Sequence, residues 1–292
     1  MLKNSRKSKN KNFFLLAPAY HGATLLSLVL GNHTQIISLG DTLPTNDFDQ
    51  VCGCGSKVSQ CEFWQNIKNT IPCEPSNKLL PEYYSLIGNK SINKVAVYLL
   101  LLLANKVGLK FHNNSFLRTY TAFLEYVRRY YNKDIFIDGC KSINRYLSVK
   151  ASKNSIDGVL YLVRDPRAFV LSAKKSLGIS VDEAANIYNS YHSHVLMTLN
   201  FLKEKYLMVT YEEFIGNPED VLGGIFEFMN VDNENILLPI NKNVHWMGNS
   251  SLFKFDGNLY ENQKWKEQLN PDEQNLVMFK TAKVCTKLAL YG

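Results

Sequence analysis

The chain carries two segments whose residue types and spacing suit the binding of anionic groups. The first is Tyr161-Leu162-Val163-Arg164-Asp165-Pro166-Arg167-Ala168-Phe169-Val170-Leu171-Ser172. An arginine at the end of a short apolar run, a capped helix and a serine eight positions after the arginine can clamp one terminal phosphate. The guanidinium fork supplies paired donors and the hydroxyl adds another. The second is Pro18-Ala19-Tyr20-His21-Gly22-Ala23-Thr24-Leu25-Leu26, directly after an apolar run. Gly22 permits a tight turn, and a helix opening near Thr24 would aim backbone N–H groups and its positive end at a bound anion. Each segment also has a plainer reading: an arginine paired with a surface carboxylate, and a glycine serving turn geometry alone. The pattern G-x-x-x-x-G-K-[ST] is absent, which speaks against a magnesium-dependent ATPase or GTPase.

Strands and helices must carry these segments. Short apolar runs at Phe13–Ala17, 35–39, Ile135–Asp138, Val159–Val163 and Tyr206–Tyr211 lack period-two alternation, as strands buried on both faces do. Helical patterns follow them with clear start signals. Asp165-Pro166, Asn217-Pro218 and Asn270-Pro271 each put a capping side chain before a proline at the first helical position, and Ser180 with Glu183 forms a capping box. Alternating strand and helix predicts an α/β fold, a mostly parallel central sheet flanked by helices on both faces. Ligands in such folds gather beyond the carboxyl ends of the strands.

Composition sets the bounds. With 292 residues, 46% of them hydrophobic, the chain can bury one substantial core. The expected organisation is a basic, disordered tail over residues 1–12 and a single domain over 13–292, with a helical and loop insertion around 42–132. The net charge is +7, but Lys3, Arg6, Lys7, Lys9 and Lys11 contribute five of the positive charges from the tail. The remainder is only slightly basic, which argues against nucleic-acid binding. The run after the tail is interrupted by Pro18 and Gly22, so it does not make a signal peptide. Val95–Ala104, the longest apolar run, is too short to span a bilayer and reads as a buried core helix. A soluble, cytoplasmic protein is expected.

The two anion-binding segments resemble those of the sulfotransferase family that uses PAPS (3′-phosphoadenosine 5′-phosphosulfate). That family carries R-D-P-R-A with a downstream serine for the 3′-phosphate, and commonly R/K-S-G-[ST]-T for the 5′-phosphosulfate. The likeness extends from about residue 13 to about residue 270. Leu25–Asp41, Cys52–Trp64 with its C-x-C-G…C-x-F-W pattern, and Ile137–Ser142 resemble a bacterial branch with S-L-G-E and D-S-S-K. Val209–Phe214 is similar to the Y-E-D/E stretch, and His245…Gly248-Asn249 with Gln263-Lys264-Trp265 to a loop that closes over the nucleotide.

This resemblance implies a P-loop-like three-layer sandwich and sulfuryl transfer from PAPS to a hydroxyl or amine, leaving PAP. It implies that Tyr20, His21, Gly22, Ala23, Thr24 and Leu25 hold the phosphosulfate, and that Arg164 and Ser172 hold the 3′-phosphate. Tyr211 would lie near the adenine, with Gly248, Asn249 and Lys254 in the closing loop. Asp41, in the position of the family's glutamate, is the candidate general base. His21 rivals it because histidine titrates near neutral pH, and Lys141 is the candidate cation for the leaving oxygen. The departures are specific. Tyr20 and His21 stand where the family has a basic residue and serine, so a protonated His21, or Lys141 reaching in, is the substitute for the loop cation; Ala23 replaces Ser/Thr, Asp41 is one methylene short, and Leu252 replaces an arginine for which Lys254 is the substitute.

No metal is expected on the donor phosphates. Cys52, Cys54, Cys61 and Cys73 cluster in sequence, which leaves free thiols, a disulfide and a zinc site all open. The acceptor is not encoded in any recognisable pattern: a carbohydrate, a lipid headgroup, a peptide or a small metabolite all fit. Two other functions compete: a catalytically degenerate relative that only binds nucleotide or acceptor, and a P-loop-type small-molecule kinase.

Overall fold

A computed structural model of the chain describes residues 10–41, 50–71, 94–110, 115–139, 141–152, 156–236, 245–248, 258–260 and 263–290. Five parallel strands, β1 (Lys11–Leu16), β2 (Ile36–Ser38), β3 (Ile135–Asp138), β4 (Gly158–Val163) and β5 (Tyr206–Thr210), form one sheet in the order β2-β3-β1-β4-β5. The chain leaves β1 toward one edge and later returns to its other side. The crevice beyond β1's carboxyl end is therefore the switch point where such folds bind ligands.

Side chains alternate across the sheet, and both faces are buried. Phe14, Leu16, Phe136, Tyr161 and Val163 face one core. Helices α2 (Glu62–Thr70), α3 (Lys94–Lys106), α4 (Ser115–Tyr131), α5 (Ile143–Lys150), α6 (Pro166–Leu177), α7 (Val181–Leu202) and α11 (Pro271–Lys287) contribute to it. Phe13, Leu15, Ile137 and Leu162 face the other, under α1 (Ala23–Gly31), α8 (Tyr211–Gly216) and α9 (Pro218–Met229), while the short α10 (Trp265–Gln268) packs on α6. This is the three-layer α/β architecture expected, and it explains why the strands read as unbroken apolar runs. Burying each such large side chain is worth about 1.5–3 kcal/mol.

The start signals operate. Asp165 accepts from the Arg167 backbone N–H under Pro166, and Ser180 with Glu183 and Asn270 with Glu273 form complete capping boxes. Asn217 is different: its amide donates to Asp220 (2.5 Å) rather than capping α9. Three boundaries move. Lys11 and Asn12 belong to β1 rather than to a tail, because Lys11 Nζ donates to the Met229 carbonyl (2.9 Å) and Asn12 is buried. Tyr211 opens α8 instead of ending β5, since the Thr210 side chain caps that helix. The run expected to be a buried helix is α3, but only its Val97, Leu101, Leu102 and Ala104 side is buried. Val95, Leu99, Leu100 and Leu103 are half exposed, so one face alone meets the core.

The end of β3 is fixed by charge. Asp138, fully buried, accepts from Arg145 Nη2 (3.0 Å), Arg145 Nε (3.2 Å) and the Tyr120 hydroxyl (3.0 Å). This network ties β3 to α4 and α5 on either side of the turn that carries Lys141. Removing one partner strands a buried charge, a loss of about 3–5 kcal/mol. Arg145→Ala is expected to lower the unfolding free energy by that amount in a denaturant titration. A loss below about 1 kcal/mol, the worth of an exposed pair, would contradict this role for the network.

Candidate functional site

Between β1 and α1 the backbone makes two left-handed steps, at Tyr20 (φ 66°) and Gly22 (φ 82°). Gly22 is required here twice over. Its φ lies in the left-handed region, and a Cβ would sit 2.5 Å from the Tyr211 ring. The turn starts α1 at Ala23, and the α1 N-terminus opens on a cavity of about 720 Å³ lined by Tyr20, Gly22, Ala23, Thr24 and Leu25. That volume is of the size that holds nucleotide-like ligands. The first N–H groups of a helix have no partner within it and favour an anion.

Arg164 leaves the end of β4 into the same cavity. Its Nη1 donates to the Tyr20 carbonyl (2.7 Å), its guanidinium lies 4.3 Å from the centre of the Tyr211 ring, and its buried Nε has no hydrogen-bond partner among the described residues. The Tyr188 hydroxyl donates to the Arg164 carbonyl (2.8 Å). Asp165 is engaged elsewhere: it caps α6 and pairs with Arg167 (2.6 Å), whose guanidinium in turn stacks on Trp265. Beneath them, burial pushes the Glu212 carboxyl up; the N–H of Asp165 and the Arg164 charge pull the other way. Ser172 lines the cavity from α6 while donating to the Ala168 carbonyl (2.9 Å), and Ser176 lines it one turn later.

Asp41 and Lys141 form an ion pair at 3.1 Å, each about a quarter exposed, on the cavity wall. They arrive from neighbouring strands. Asp41 follows β2 through Gly40, whose left-handed φ of 71° lets the backbone meet Met247; a Cβ there would be 2.2 Å from the Met247 carbonyl oxygen. The Asp41 N–H donates to that carbonyl (2.8 Å), and the Met247 N–H donates to the Leu39 carbonyl (2.9 Å). Lys141 follows β3 and its carbonyl accepts from the Tyr191 hydroxyl (3.2 Å).

The sequence-predicted residues Asp41, Tyr20, Gly22, Ala23, Thr24, Leu25, Lys141, Arg164, Ser172, Tyr211 and Gly248 all line this one cavity. Asn249 and Lys254 lie outside the described residues. His21 differs from expectation. Its ring is fully buried, does not line the cavity, and sits between Phe169, Tyr188 and His192. Its Nε2 meets His192 Nε2 at 3.1 Å, and Tyr161 meets His192 Nδ1 at 2.5 Å. Burial, the neighbouring histidine and Arg164 hold His21 well below the usual imidazole range, and the weaker pull of the Ala19 carbonyl does not offset them. His21 is therefore neutral, and neither a substitute loop cation nor a base within reach of the cavity. Sequence reasoning missed Gln50 and Ser176, which also line the cavity. Ser176 had a legible signal, four residues after Ser172 on one helix face; Gln50 had none.

No disulfide joins Cys52, Cys54 or Cys61 to another described cysteine. Cys73 lies outside the described residues. The fourth ligand-type side chain beside these three is His245.

No protein-family model matches the chain, and no curated protein matches it in sequence. Its fold is similar to those of several solved structures, among them two sulfotransferase domains. One is a sulfotransferase domain from the curacin biosynthetic pathway (17% identity, TM-score 0.55, covering 94% of this chain and 98% of that one). The other is a sulfotransferase domain from the Synechococcus PCC 7002 olefin synthase (18% identity, TM-score 0.50, covering 97% and 96%). At this identity the likeness establishes a shared P-loop-like fold. Among the described residues, no helix is long and apolar enough to cross a membrane.

The buried imidazole pair gives the fold a pH dependence. Burial lowers the His192 pKa to about 3 and holds His21 low as well, so unfolding lets both rings take up protons that the core refuses. Their contribution is full above the ordinary imidazole value of about 6.5 and is lost as pH falls below it, by up to about 1.4 kcal/mol per pH unit for each ring. Calorimetry at pH 7 and pH 5 is expected to give a lower melting temperature at pH 5, with a smaller drop for His192→Gln. Equal drops would contradict a neutral buried His192.

Proposed function

We propose that the chain is a sulfotransferase that takes PAPS as donor and transfers its sulfuryl group to an acceptor hydroxyl or amine. One observation carries the reading: the α1 N-terminus, the Asp41–Lys141 pair and the Arg164–Ser172 pair share one cavity. That is two anion-binding poles with a carboxylate and an ammonium beside one of them. A donor with a phosphosulfate at one end and a separate terminal phosphate at the other matches both poles. The buried Arg164, whose Nε has no partner among the described residues, suits a doubly charged phosphate better than a neutral group. The shared fold supports the same conclusion.

In this reading the first-turn N–H groups of α1 orient the phosphosulfate and stabilise charge that spreads over its oxygens. Asp41 accepts the proton of the acceptor hydroxyl as the sulfuryl sulfur passes to that oxygen. The bridging bond to the nucleotide phosphate breaks, its electron pair stays on the departing oxygen, and Lys141 neutralises the charge there. Positioning and fixed cations do this work, as in phosphoryl transfer. The Asp41–Lys141 ion pair keeps both side chains on the wall where the two ends of the transfer meet.

The alternative of a nucleotide-binding relative without turnover draws on one feature. The loop 18–25 contains no lysine or arginine, and His21 is buried and neutral. The kinase reading lacks the loop lysine that would hold transferring phosphates.

Two experiments test the proposal. Arg164→Ala is expected to weaken PAP binding by about 1.5–3 kcal/mol, roughly 10–150-fold, in calorimetric titration, with little change for adenosine 5′-phosphosulfate, which lacks the 3′-phosphate. Equal losses for both nucleotides would remove Arg164 from the 3′-phosphate. Asp41→Asn keeps the shape and removes the charge. Transfer from labelled PAPS to an acceptor pool is expected to fall by about 10²–10⁴-fold at unchanged PAP affinity. Undiminished transfer would move the base elsewhere, and PAP binding without transfer by the unaltered chain would favour the non-catalytic relative.

A further inference from the structure

Cys52, Cys54 and Cys61 lie on the loop leading into α2, and His245 comes from the far end of the chain. Their ligand atoms all lie within 4.8 Å of one another. The loop is built to return on itself. Val51 bridges Lys57, the Cys52 N–H donates to the Ser56 carbonyl (2.8 Å) and the Gly55 N–H to the Cys52 carbonyl (2.8 Å). This fold-back presents the first two sulfurs to the third, at the start of α2.

The distances have the dimensions of a coordination polyhedron. Cys61 Sγ is 3.7 Å from both Cys54 Sγ and Cys52 Sγ, and His245 Nδ1 is 3.7 Å from Cys52 Sγ and 3.2 Å from Cys61 Sγ. Around a tetrahedral zinc with Zn–S near 2.3 Å and Zn–N near 2.0 Å, two sulfurs stand about 3.8 Å apart and a sulfur and a nitrogen about 3.5 Å. A disulfide needs about 2.05 Å between sulfurs, far shorter than any of these. The spacing also leaves room for one ion and not for a cluster of irons.

The imidazole is held for ligation. Its ring stacks flat on Phe63 (4.6 Å, 6°), its Nε2 meets the Tyr130 hydroxyl at 3.2 Å, and its backbone N–H donates to the Tyr131 hydroxyl (3.2 Å). Partners of this kind on the remote nitrogen orient metal-bound histidines. They leave Nδ1 facing the sulfurs.

We propose that Cys52, Cys54, Cys61 and His245 bind one zinc ion in a closed, structural site. Three soft sulfur donors with one imidazole select zinc over magnesium or calcium, and four protein ligands leave no open position for a catalytic water. Binding displaces the three thiol protons to solvent, and the three thiolates with Zn²⁺ leave the centre with one net negative charge. The ion would join the Cys loop to the segment His245–Gly248. That segment already accepts from the Gly53 N–H at the Trp246 carbonyl (2.9 Å) and pairs with Leu39 and Asp41 through Met247. Gln50 and Gly248, both on the cavity wall, flank the join. Zinc would thus staple the rim of the cavity beside Asp41 while standing outside it. Sequence spacing alone pointed to Cys73 as the fourth cysteine of the group; the histidine that completes it is more than 180 residues from Cys61.

The site is tested by metal content rather than turnover, so its failure would leave the donor-site reading intact. Protein purified without chelators is expected to hold about one equivalent of zinc per chain by plasma mass spectrometry, released when a mercurial titrates the thiols. Cobalt added to reduced, zinc-stripped chain is expected to give thiolate-to-cobalt charge-transfer bands and the intense visible bands of a tetrahedral centre. Cys54→Ser and His245→Gln are expected to lose most of the zinc, and Cys285→Ala, a thiol on α11, to keep it. Zinc-free protein that also gives no tetrahedral cobalt spectrum would overturn the site, as would full zinc retention in both ligand variants. The cobalt titration of the unaltered chain decides the matter even if a ligand variant fails to fold.

Discussion

The cavity is organised around one desolvated cation. Arg164 is only 6% exposed, and a buried guanidinium is tolerated where carbonyls, aromatic faces and carboxylates surround it. Its neighbours are of those kinds: the Tyr20 carbonyl, the Tyr211 ring and the nearby Glu212. Each of these is also a structural joint. Tyr20 is part of the turn that starts α1, Tyr211 starts α8 and excludes any side chain at Gly22, and Glu212 holds the N–H of Asp165. Satisfying the arginine therefore fixes the relative positions of the turns after β1, β4 and β5.

The opposite wall depends on a second charge arrangement. The Asp138–Arg145–Tyr120 network lies directly under the turn that delivers Lys141, and Lys141 reaches Asp41 from the adjacent strand. An ion pair formed by two flexible, partly exposed side chains would lose orientation to solvent. Here each follows the end of a buried strand, and the Met247 carbonyl pins the Asp41 backbone. The same short segment links this wall to the cysteine loop through Trp246 and His245, so the rim beside Asp41 inherits whatever rigidity that loop possesses.

His21 illustrates how a local sequence can mislead. It occupies the loop position where a cation would serve a bound anion, and its type suggested one. The left-handed step at Tyr20 turns the backbone so that the ring enters the core against Phe169, Tyr188 and His192. Among the described residues, the cationic side chains that line the cavity are Lys141 and Arg164, which share it with the α1 N-terminus. What the loop itself presents to the cavity is the N-terminus of α1.

The sequence alone determined the elements: which apolar runs would be parallel strands, that Pro166, Pro218 and Pro271 would open helices, and that Arg164 and Ser172 stand on one strand–helix joint. These are local matters, set by hydrophobic runs and by backbone chemistry within a few residues. Their order in the sheet, and hence the meeting of Asp41 with Lys141 or of Gln50 with Gly248, came only from tertiary structure, because pairing across strands depends on which buried faces pack together. The same holds for the burial of His21, the half-exposed face of α3 and the arrival of His245 among three cysteines. Side-chain direction and long-range proximity follow from the path of the whole chain, which no short window of sequence contains.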